Sequence, residues 1–352
     1  MRTTTGTATA ILLTLPLSSA CIPTITDDLS LISSPRLLAI AAQPAEAAPS
    51  DGVALSALVA APAGARRASI EWELCTSRKP LTELGAVNPA CLSPTRDMDA
   101  SVERLLGQGD EIASDVPRDA CSSFGPNPPP PQAGEQTGGR PVDPDPTGGY
   151  YQPVVAFLGR SPTLGTVRLS CGVPGLSPDE RVEFGQRYRI NENPRIDALH
   201  LGDGTVVPSD AADAGFTARR KANVSLETQW AACPRHSVCG DGICGEEEDA
   251  TSCAGDCPAG ASKGCTGAET YAWFDPGAEG IEDRREGILV TWYSTAGAFS
   301  ERRVGVAETD PDAAHTKTTW TAPATPGEET LWAVIRDDRG GVSWQSYRVR
   351  VE

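Results

Sequence analysis

Apolar and polar residues alternate in many short stretches of this chain, and a period of two is typical of half-buried β-strands. In KANVSLETQW, every second residue of 222–230 is apolar or threonine, and the residues between them are polar. REGILVTWYS places Ile288, Val290 and Trp292 on one face of another strand. Near the end, LWAVIRDDRGGVSWQSYRVRVE predicts a hairpin that turns around the glycine pair 340–341.

A weak repeat organises these strands into two groups. PRLLAIAAQ and PRIDALHLGDG each begin with Pro-Arg and an apolar strand, and each is followed by an alternating strand and a strand that contains tryptophan. The 30 prolines and 35 glycines suit short strands joined by many turns. We therefore predict an all-β fold of two antiparallel β-sandwiches, at residues 35–192 and 193–352. YYQPVVAFLG, TVRLSCGV and RVEFGQRYRI are predicted strands of the first sandwich, and ETYAWFDP is one of the second.

The second group carries the motifs W-x-A-P and D-D-R-G-G. With its strand pattern it resembles the immunoglobulin-like modules that are common on bacterial surfaces, and this resemblance implies that both sandwiches are immunoglobulin-like. Two insertions interrupt the plan. Residues 76–149 are rich in proline and glycine and are predicted to be mostly loop, with a short helix in MDASVERLLGQGDEI, where the apolar residues have helical spacing. Residues 233–265 form a cysteine-rich insertion in the second sandwich.

The N-terminal residues 1–20 have the layout of an export signal. Arg2 precedes a short apolar run, and small residues then lead into Cys21. Leu-Ser-Ser-Ala-Cys resembles the lipobox of bacterial lipoproteins, which implies that Cys21 is lipidated and becomes the mature N-terminus. Residues 21–34 would then be a tether, and Ile22 would favour sorting to the outer membrane. The alternative is ordinary cleavage after Ala20, which the small residues also permit.

Cysteine parity agrees with a lipidated Cys21, because the chain has 11 cysteines and an odd total leaves one thiol unpaired. The other ten can form five disulfides in an oxidising compartment. We therefore predict an exported protein that is held at the outer membrane by its N-terminal lipid. The disulfide candidates are Cys75, Cys91, Cys121, Cys171, Cys233, Cys239, Cys244, Cys253, Cys257 and Cys265.

The cysteine-rich insertion is too short to bury a core of its own, so cross-links are expected to hold it. The simplest arrangement closes its neck with Cys233–Cys265 and crosses the inner four as Cys239–Cys253 and Cys244–Cys257, although six cysteines permit many other pairings. The pattern C-G-D-G-x-C…C-x-x-D-C resembles cysteine-rich repeats of secreted bacterial proteins. Zinc is disfavoured by the spacing and the compartment, and a redox centre by the lack of C-x-x-C.

Calcium binding is an open alternative for the same insertion. Hard cations prefer clustered oxygen ligands, and the candidate ligands are Asp241, Glu246, Asp249 and Asp256. Their spacing does not match D-x-[DN]-x-[DN]-G, and a solvated acidic loop would look the same.

Catalysis finds little support in the sequence. The three histidines are far apart, and no G-x-S-x-G, H-E-x-x-H or P-loop occurs. The 47 acidic residues against 30 basic ones give a formal net charge of −17, which disfavours binding to nucleic acid. Glycan binding would need a row of exposed tryptophans among Trp320, Trp332 and Trp344; the alternative is that these residues fill the core. We predict a non-catalytic envelope lipoprotein, a surface module that is structural or binds an unknown protein or envelope partner. Calcium or glycan binding is the alternative, and an envelope enzyme is a distant third.

Overall fold

A computed structural model of the chain is all-β, with two β-sandwiches and a small disulfide-rich segment, which confirms the predicted fold class. The described residues are 29–66, 68–80, 82–93, 103–127, 144–209, 214–234, 239–240, 244, 248, 250–258, 264–275, 280–310 and 313–352.

The first sandwich packs a three-stranded sheet, in the order β1-β3-β6, against a five-stranded sheet, in the order β2-β8-β7-β4-β5. Its core contains Leu55, Ile70, Trp72 and Val154, all fully buried. Its strands are β1 (Arg36–Gln43), β2 (Glu46–Ala47), β3 (Gly52–Ala60), β4 (Ile70–Cys75), β5 (Glu103–Gln108), β6 (Glu111–Asp115), β7 (Tyr151–Leu158) and β8 (Ser161–Leu169). A 3-10 helix (Pro89–Leu92) and the short helix α1 (Ala120–Ser123) lie in its loops.

The predicted helix in residues 98–112 is wrong, because the described part of that segment is extended. Strand β5 pairs with β4, and β6 pairs with β3, so the two strands extend one sheet each. The apolar residues that suggested a helix are few, and strand pairing satisfies the backbone of this polar segment equally well. The prediction that residues 76–149 are mostly loop is wrong for β5 and β6, which both lie within that range.

The predicted strand RVEFGQRYRI is also wrong, since helix α2 (Pro178–Arg187) occupies it. Ser177 caps the helix: its hydroxyl accepts a hydrogen bond from the Glu180 N–H, and the Glu180 carboxylate accepts one from the Ser177 N–H. This capping box, with Pro178 in the first turn, favours a helix start more strongly than the weak alternation favours a strand.

The second sandwich packs two five-stranded sheets, in the orders β10-β9-β12-β18-β16 and β11-β20-β19-β15-β17. Most neighbouring strands are antiparallel, but β11 runs parallel to β20, as β2 does to β8 in the first sandwich. The strands are β9 (Ala198–Leu201), β10 (Val206–Pro208), β11 (Gly215–Ala218), β12 (Asn223–Gln229), β15 (Ile288–Ser294), β16 (Ala298–Phe299), β17 (Arg303–Val306), β18 (His315–Thr321), β19 (Gly327–Asp337) and β20 (Val342–Val351).

The alternating pattern places residues in the second sandwich as predicted. Ile288, Val290 and Trp292 are all buried in the core between its two sheets. The C-terminal hairpin is confirmed: β19 and β20 pair with Leu331 opposite Tyr347, and Gly340 adopts a φ of +102°, which glycine permits in the turn.

The predicted strand ETYAWFDP does not join either sheet of the second sandwich. It forms β13 (Thr270–Asp275), which pairs only with β14 (Gly280–Arg285) in a separate hairpin. This hairpin lies between the sandwiches, where Arg187 of α2 contacts Asp283 at 2.9 Å and Arg284 donates to the Pro146 carbonyl. No helix among the described residues is long and apolar enough to cross a membrane.

The start of the described chain pairs with the second sandwich rather than the first. The Ile32 N–H donates to the Ser294 carbonyl at 2.8 Å, and the Ser294 N–H donates to the Ser30 carbonyl at 2.9 Å. Part of the predicted tether therefore extends the β15 edge, and the chain then crosses to β1 of the first sandwich.

Candidate functional site

Disulfides join all ten cysteines that were proposed for pairing. Within the cysteine-rich segment, Cys233–Cys265 closes the neck, with Cα atoms 5.8 Å apart, and Cys239–Cys253 and Cys244–Cys257 cross inside it. This is the pairing that the sequence favoured. Cys75–Cys91 and Cys121–Cys171 hold the loops of the first sandwich.

Asp256 is the only predicted calcium ligand among the described residues. Its carboxylate accepts a hydrogen bond from the Gly240 N–H and lies close to the sulfurs of Cys239 and Cys253. Those sulfurs share one disulfide, so neither is a thiolate that could bind a metal. Asp241, Glu246 and Asp249 lie outside the described residues, as does Cys21. Calcium binding and lipidation both stay predictions.

The most unusual polar cluster, which the sequence analysis did not predict, lies buried between the two sandwiches. Its centre is Arg339, a side chain with no exposed surface in the turn between β19 and β20. The guanidinium contacts Glu286 Oε1 at 3.2 Å in the second sandwich and Glu46 Oε2 at 3.4 Å in the first. It also donates to the carbonyl of Arg189, in the connection between the sandwiches. One cation therefore joins three parts of the chain.

A second buried cation, Arg168 of β8, completes the cluster on the side of the first sandwich. Its Nε lies 3.5 Å from Glu46 Oε2, and its Nη1 donates to the hydroxyls of Thr147 and Tyr151. Glu46 therefore faces both arginines. The same carboxylate accepts from the Tyr188 hydroxyl, at 2.7 and 2.8 Å to its two oxygens. The single hydroxyl proton is shared between the two oxygens, and a hydrogen bond to an ionised carboxylate is stronger than one between neutral groups.

The turn that presents Arg339 is shaped by its own side chains. Asp337 Oδ1 accepts from the N–H groups of Arg339 and Gly341, at 2.9 and 2.7 Å. A Cβ at Gly341 would collide with the Asp337 carboxylate, so the turn requires glycine at this position. The D-D-R-G-G motif thus supplies the acceptor, the cation and the glycine turn of one local structure.

Aromatic rings enclose the guanidinium of Arg339. Its carbon lies 4.5 Å from the ring centre of Tyr271, in β13, and 5.4 Å from that of Tyr188. Such cation–π contacts are strongest where water is excluded. The β13–β14 hairpin, which the sequence assigned to a sandwich, therefore serves as one wall of the cluster.

The cluster contains more acids than cations. Glu269 lies 3.9 Å from the Arg339 guanidinium, so Glu46, Glu269, Glu286 and Asp337 share two arginines. Burial raises the pKa of Glu269 to about 7 and that of Asp337 to about 6. Burial, followed by repulsion from Asp337, raises the pKa of Glu286 well above its usual value. Glu269, Glu286 and Asp337 therefore hold protons at pH values where exposed carboxyls are ionised.

An apolar layer lies beside the polar cluster and joins the same two sandwiches. Leu38 and Leu58, on the outer face of the first sandwich, pack with Trp332 and Val334 on the outer face of the second. β19 is therefore buried on both faces, which explains its unbroken apolar run Leu-Trp-Ala-Val-Ile. Strand β1 is also buried on both faces. A bulge lies between Leu37 and Ala39, and Leu37 faces the core of the first sandwich whereas Ala39 faces the apolar layer.

The tryptophans considered for glycan binding do not form an exposed row. Trp320 lies in the core of the second sandwich, Trp332 lies in the apolar layer, and Trp344 packs against that layer. They fill the interior, which is the alternative that the sequence analysis raised. Trp273 of β13 is partly exposed, and the guanidinium of Arg284 lies 4.7 Å from its ring centre.

Comparisons with known proteins give no family. No family model and no curated protein matches the sequence. Solved structures with partial similarity include dimeric latent PorU from Porphyromonas gingivalis, at 13% identity over 91% of this chain and 24% of that chain, with a TM-score of 0.20. Red sea bream transglutaminase is 11% identical over 91% of this chain and 32% of its own, with a TM-score of 0.23.

The two tandem V-type regions of VCBP3, a v-region-containing chitin binding protein, are 10% identical over 90% of this chain and 100% of that chain, with a TM-score of 0.24. The chain spans about a quarter of the length of PorU. Scores this low carry no argument about function.

Proposed function

We propose that this chain is a non-catalytic envelope lipoprotein whose two sandwiches form a single rigid module for contacts with a protein or envelope partner. Its five disulfides indicate an oxidising compartment outside the cytoplasm. The export signal and the lipobox-like residues before Cys21 support a lipid anchor.

The observation that carries the proposal is the closed junction between the sandwiches. Its charged residues point at one another: Arg339 and Glu46 are almost fully buried and face each other across the junction. The shared apolar layer continues that contact. Interdomain contacts within a chain are often mobile, but an interface with a large buried apolar part is not. Such a junction suits a module that holds a surface at a fixed distance and angle.

Mass spectrometry of the N-terminal peptide of the protein purified from membranes tests the anchor. We expect a diacylated or triacylated Cys21, and we expect the Cys21→Ser variant to move from the membrane fraction to the soluble fraction. An unmodified Cys21, or a free N-terminus at another residue, would contradict the anchor.

Cross-linking in intact cells, followed by mass spectrometry, tests the partner class. We expect reproducible cross-links to an envelope protein or to peptidoglycan from the exposed faces of the sandwiches. Turnover of a small molecule by the purified chain, abolished by a single side-chain substitution, would contradict the non-catalytic assignment.

A further inference from the structure

The position of the N-terminal segment determines which part of the molecule lies near the proposed anchor. Ser30, Leu31 and Ile32 extend the β15 edge of the second sandwich, and Leu29 and Leu31 are 52% and 39% exposed there. The eight Cα-to-Cα steps from Cys21 to Leu29 span at most about 30 Å. A lipid on Cys21 would therefore hold the second sandwich, rather than the far end of the first, next to the membrane.

The same end of the second sandwich carries a concentration of cations, which we call the basic end: Arg219, Arg220, Lys221, Arg348 and Arg350. All five are exposed. Arg348 and Arg350 lie on the outer face of β20, while the three others form the turn that follows β11. The Arg220 N–H donates to the Glu352 carbonyl, and the Lys221 N–H donates to the Pro323 carbonyl, which places this turn beside the end of β20.

Few acids accompany the basic end. Glu352 pairs with Arg350 at 3.3 Å, Glu328 lies opposite Arg350 on β19, and the next residue, Glu329, accepts a hydrogen bond from the Thr295 hydroxyl. Cations remain in excess there, although the whole chain has a formal net charge of −17. An acidic protein that collects exposed arginines at one end has a strongly asymmetric charge distribution, which orients it in an electric field such as that of an anionic surface.

The sheet register relates the basic end to the N-terminal segment. Ser294 pairs with Leu331, which pairs with Tyr347, the residue just before Arg348. Ser294, which pairs with the N-terminal segment, therefore lies two strand spacings, about 10 Å, from β20, the strand that carries Arg348. The eight-residue connection to Cys21 is long enough to span this distance.

We propose that the basic end of the second sandwich docks on the anionic lipid headgroups of the membrane that holds the lipid anchor. This inference rests on the proposed lipoprotein function for its geometry. The exposed leucines of the N-terminal segment and the cations of the basic end would face the bilayer together. The acidic remainder of the molecule would be repelled and would point away from it.

Vesicle flotation of the full mature chain carrying Cys21→Ser tests the surface without the lipid. At low salt we expect binding to vesicles of phosphatidylglycerol and phosphatidylcholine, no binding to vesicles of phosphatidylcholine alone, and loss of binding as salt screens the charges. Each cation near an anionic surface contributes about a fivefold gain in affinity. Arg219→Glu, Arg220→Glu and Lys221→Glu together should therefore weaken binding by about 100-fold or more.

A matched control applies the same change of charge to the first sandwich, with Arg66→Glu, Arg118→Glu and Arg160→Glu. These arginines are also exposed. We expect a much smaller loss from this variant. Equal losses from both variants would show that only total charge matters, and equal binding to neutral and anionic vesicles would overturn the proposal.

Trypsin cleavage of the lipidated protein in vesicles gives a second measurement. The turn Arg219–Lys221 should be cleaved several-fold more slowly in anionic vesicles than in neutral ones, while cleavage at Arg160 should not change. Equal rates at Arg219–Lys221 in the two kinds of vesicle would overturn the docking. Absence of lipid on Cys21 would instead refute the proposed function, and it would leave the flotation result intact.

Discussion

The junction between the sandwiches and the cysteine-rich segment achieve order by opposite means. The junction buries charges and apolar side chains, and no disulfide among the described residues crosses it. The segment is too short to form a core of its own, and its disulfides restrict the unfolded chain instead. One chain in an oxidising compartment can thus reserve cross-links for the part that is too small to form a core. The larger contact then depends on side-chain complementarity, which single substitutions can disrupt.

The largest effect is expected from Arg339→Met, which removes the central cation of the junction. Glu286 would remain buried without its guanidinium partner and Glu46 would keep only Arg168, and breaking a buried ion pair in this way costs about 3–5 kcal/mol of unfolding free energy. Chemical denaturation measures this change. Arg195→Met is the control, because the Arg195–Asp197 pair is largely exposed and should contribute about 1 kcal/mol or less. Similar losses of unfolding free energy in both variants would show that the buried ion pairs of the junction contribute no more to stability than an exposed pair.

A somewhat smaller effect is expected from Leu58→Ala in the apolar layer. Leu58 is 7% exposed, and shortening a buried leucine leaves a cavity that costs about 2–4 kcal/mol. Leu84→Ala, at a residue that is 86% exposed, should change the unfolding free energy by less than about 0.5 kcal/mol. Loss of stability without any change in the angle between the sandwiches, measured by small-angle X-ray scattering, would place the effect inside one sandwich.

The acid excess of the junction predicts an unusual dependence of stability on pH. The pKa of Glu269 is raised to about 7 and that of Asp337 to about 6, so the folded chain binds these protons more tightly than the unfolded chain does. Their contribution to stability is complete at low pH and is lost as pH rises through these values, so the unfolding free energy should fall between about pH 4.5 and pH 7.5.

Asp337→Asn isolates one part of this dependence. Asp337 Oδ1 accepts both hydrogen bonds of the turn, so an asparagine can keep them and lose only the titration. The variant should be more stable than the parent by on the order of 1–2 kcal/mol at pH 7.5 and about equal to it near pH 4.5. Thermal unfolding at the two pH values measures the difference. A parent whose stability rises over this range would contradict the assignment.

The smallest global effect is expected from Cys244→Ser with Cys257→Ser. The segment should become sensitive to proteolysis between its neck cysteines, while the unfolding free energy of the sandwiches should change by less than about 1 kcal/mol. Cys121→Ser with Cys171→Ser is the contrasting variant. That disulfide spans 50 residues within the first sandwich, and its loss should cost about 2–4 kcal/mol. Equal global losses would mean that the segment supports the sandwiches after all.

Local patterns in the sequence predicted the elements that depend on local chemistry. The alternation in β15 and the glycine turn between β19 and β20 led directly to the observed hairpin and core. The start of α2 can also be predicted from the sequence, because Ser-Pro-Asp-Glu at residues 177–180 is a capping box. The strand prediction is wrong there because it relies on the weak alternation of apolar and polar residues that follows.

The charged junction could not be predicted because its members are distant in sequence and carry no shared pattern. Glu46 and Arg339 come from opposite ends of the chain, and an isolated glutamate in an alanine-rich stretch looks like a surface residue. In the sequence, D-D-R-G-G contributes only to a resemblance to immunoglobulin-like modules. Its arginine, placed between an aspartate that orders the turn and two glycines, was the one available signal.

The pairing of residues 30–32 with Ser294 bears on how the protein is made. Synthesis delivers the N-terminus first, so this short strand is made long before the sheet edge that receives it. The second sandwich therefore cannot complete that edge until the last third of the chain is available, and contacts so distant in sequence slow folding. A fragment that begins at residue 193 would lack the strand and leave β15 unpaired beyond its contact with β17, a site at which two such fragments could pair with each other.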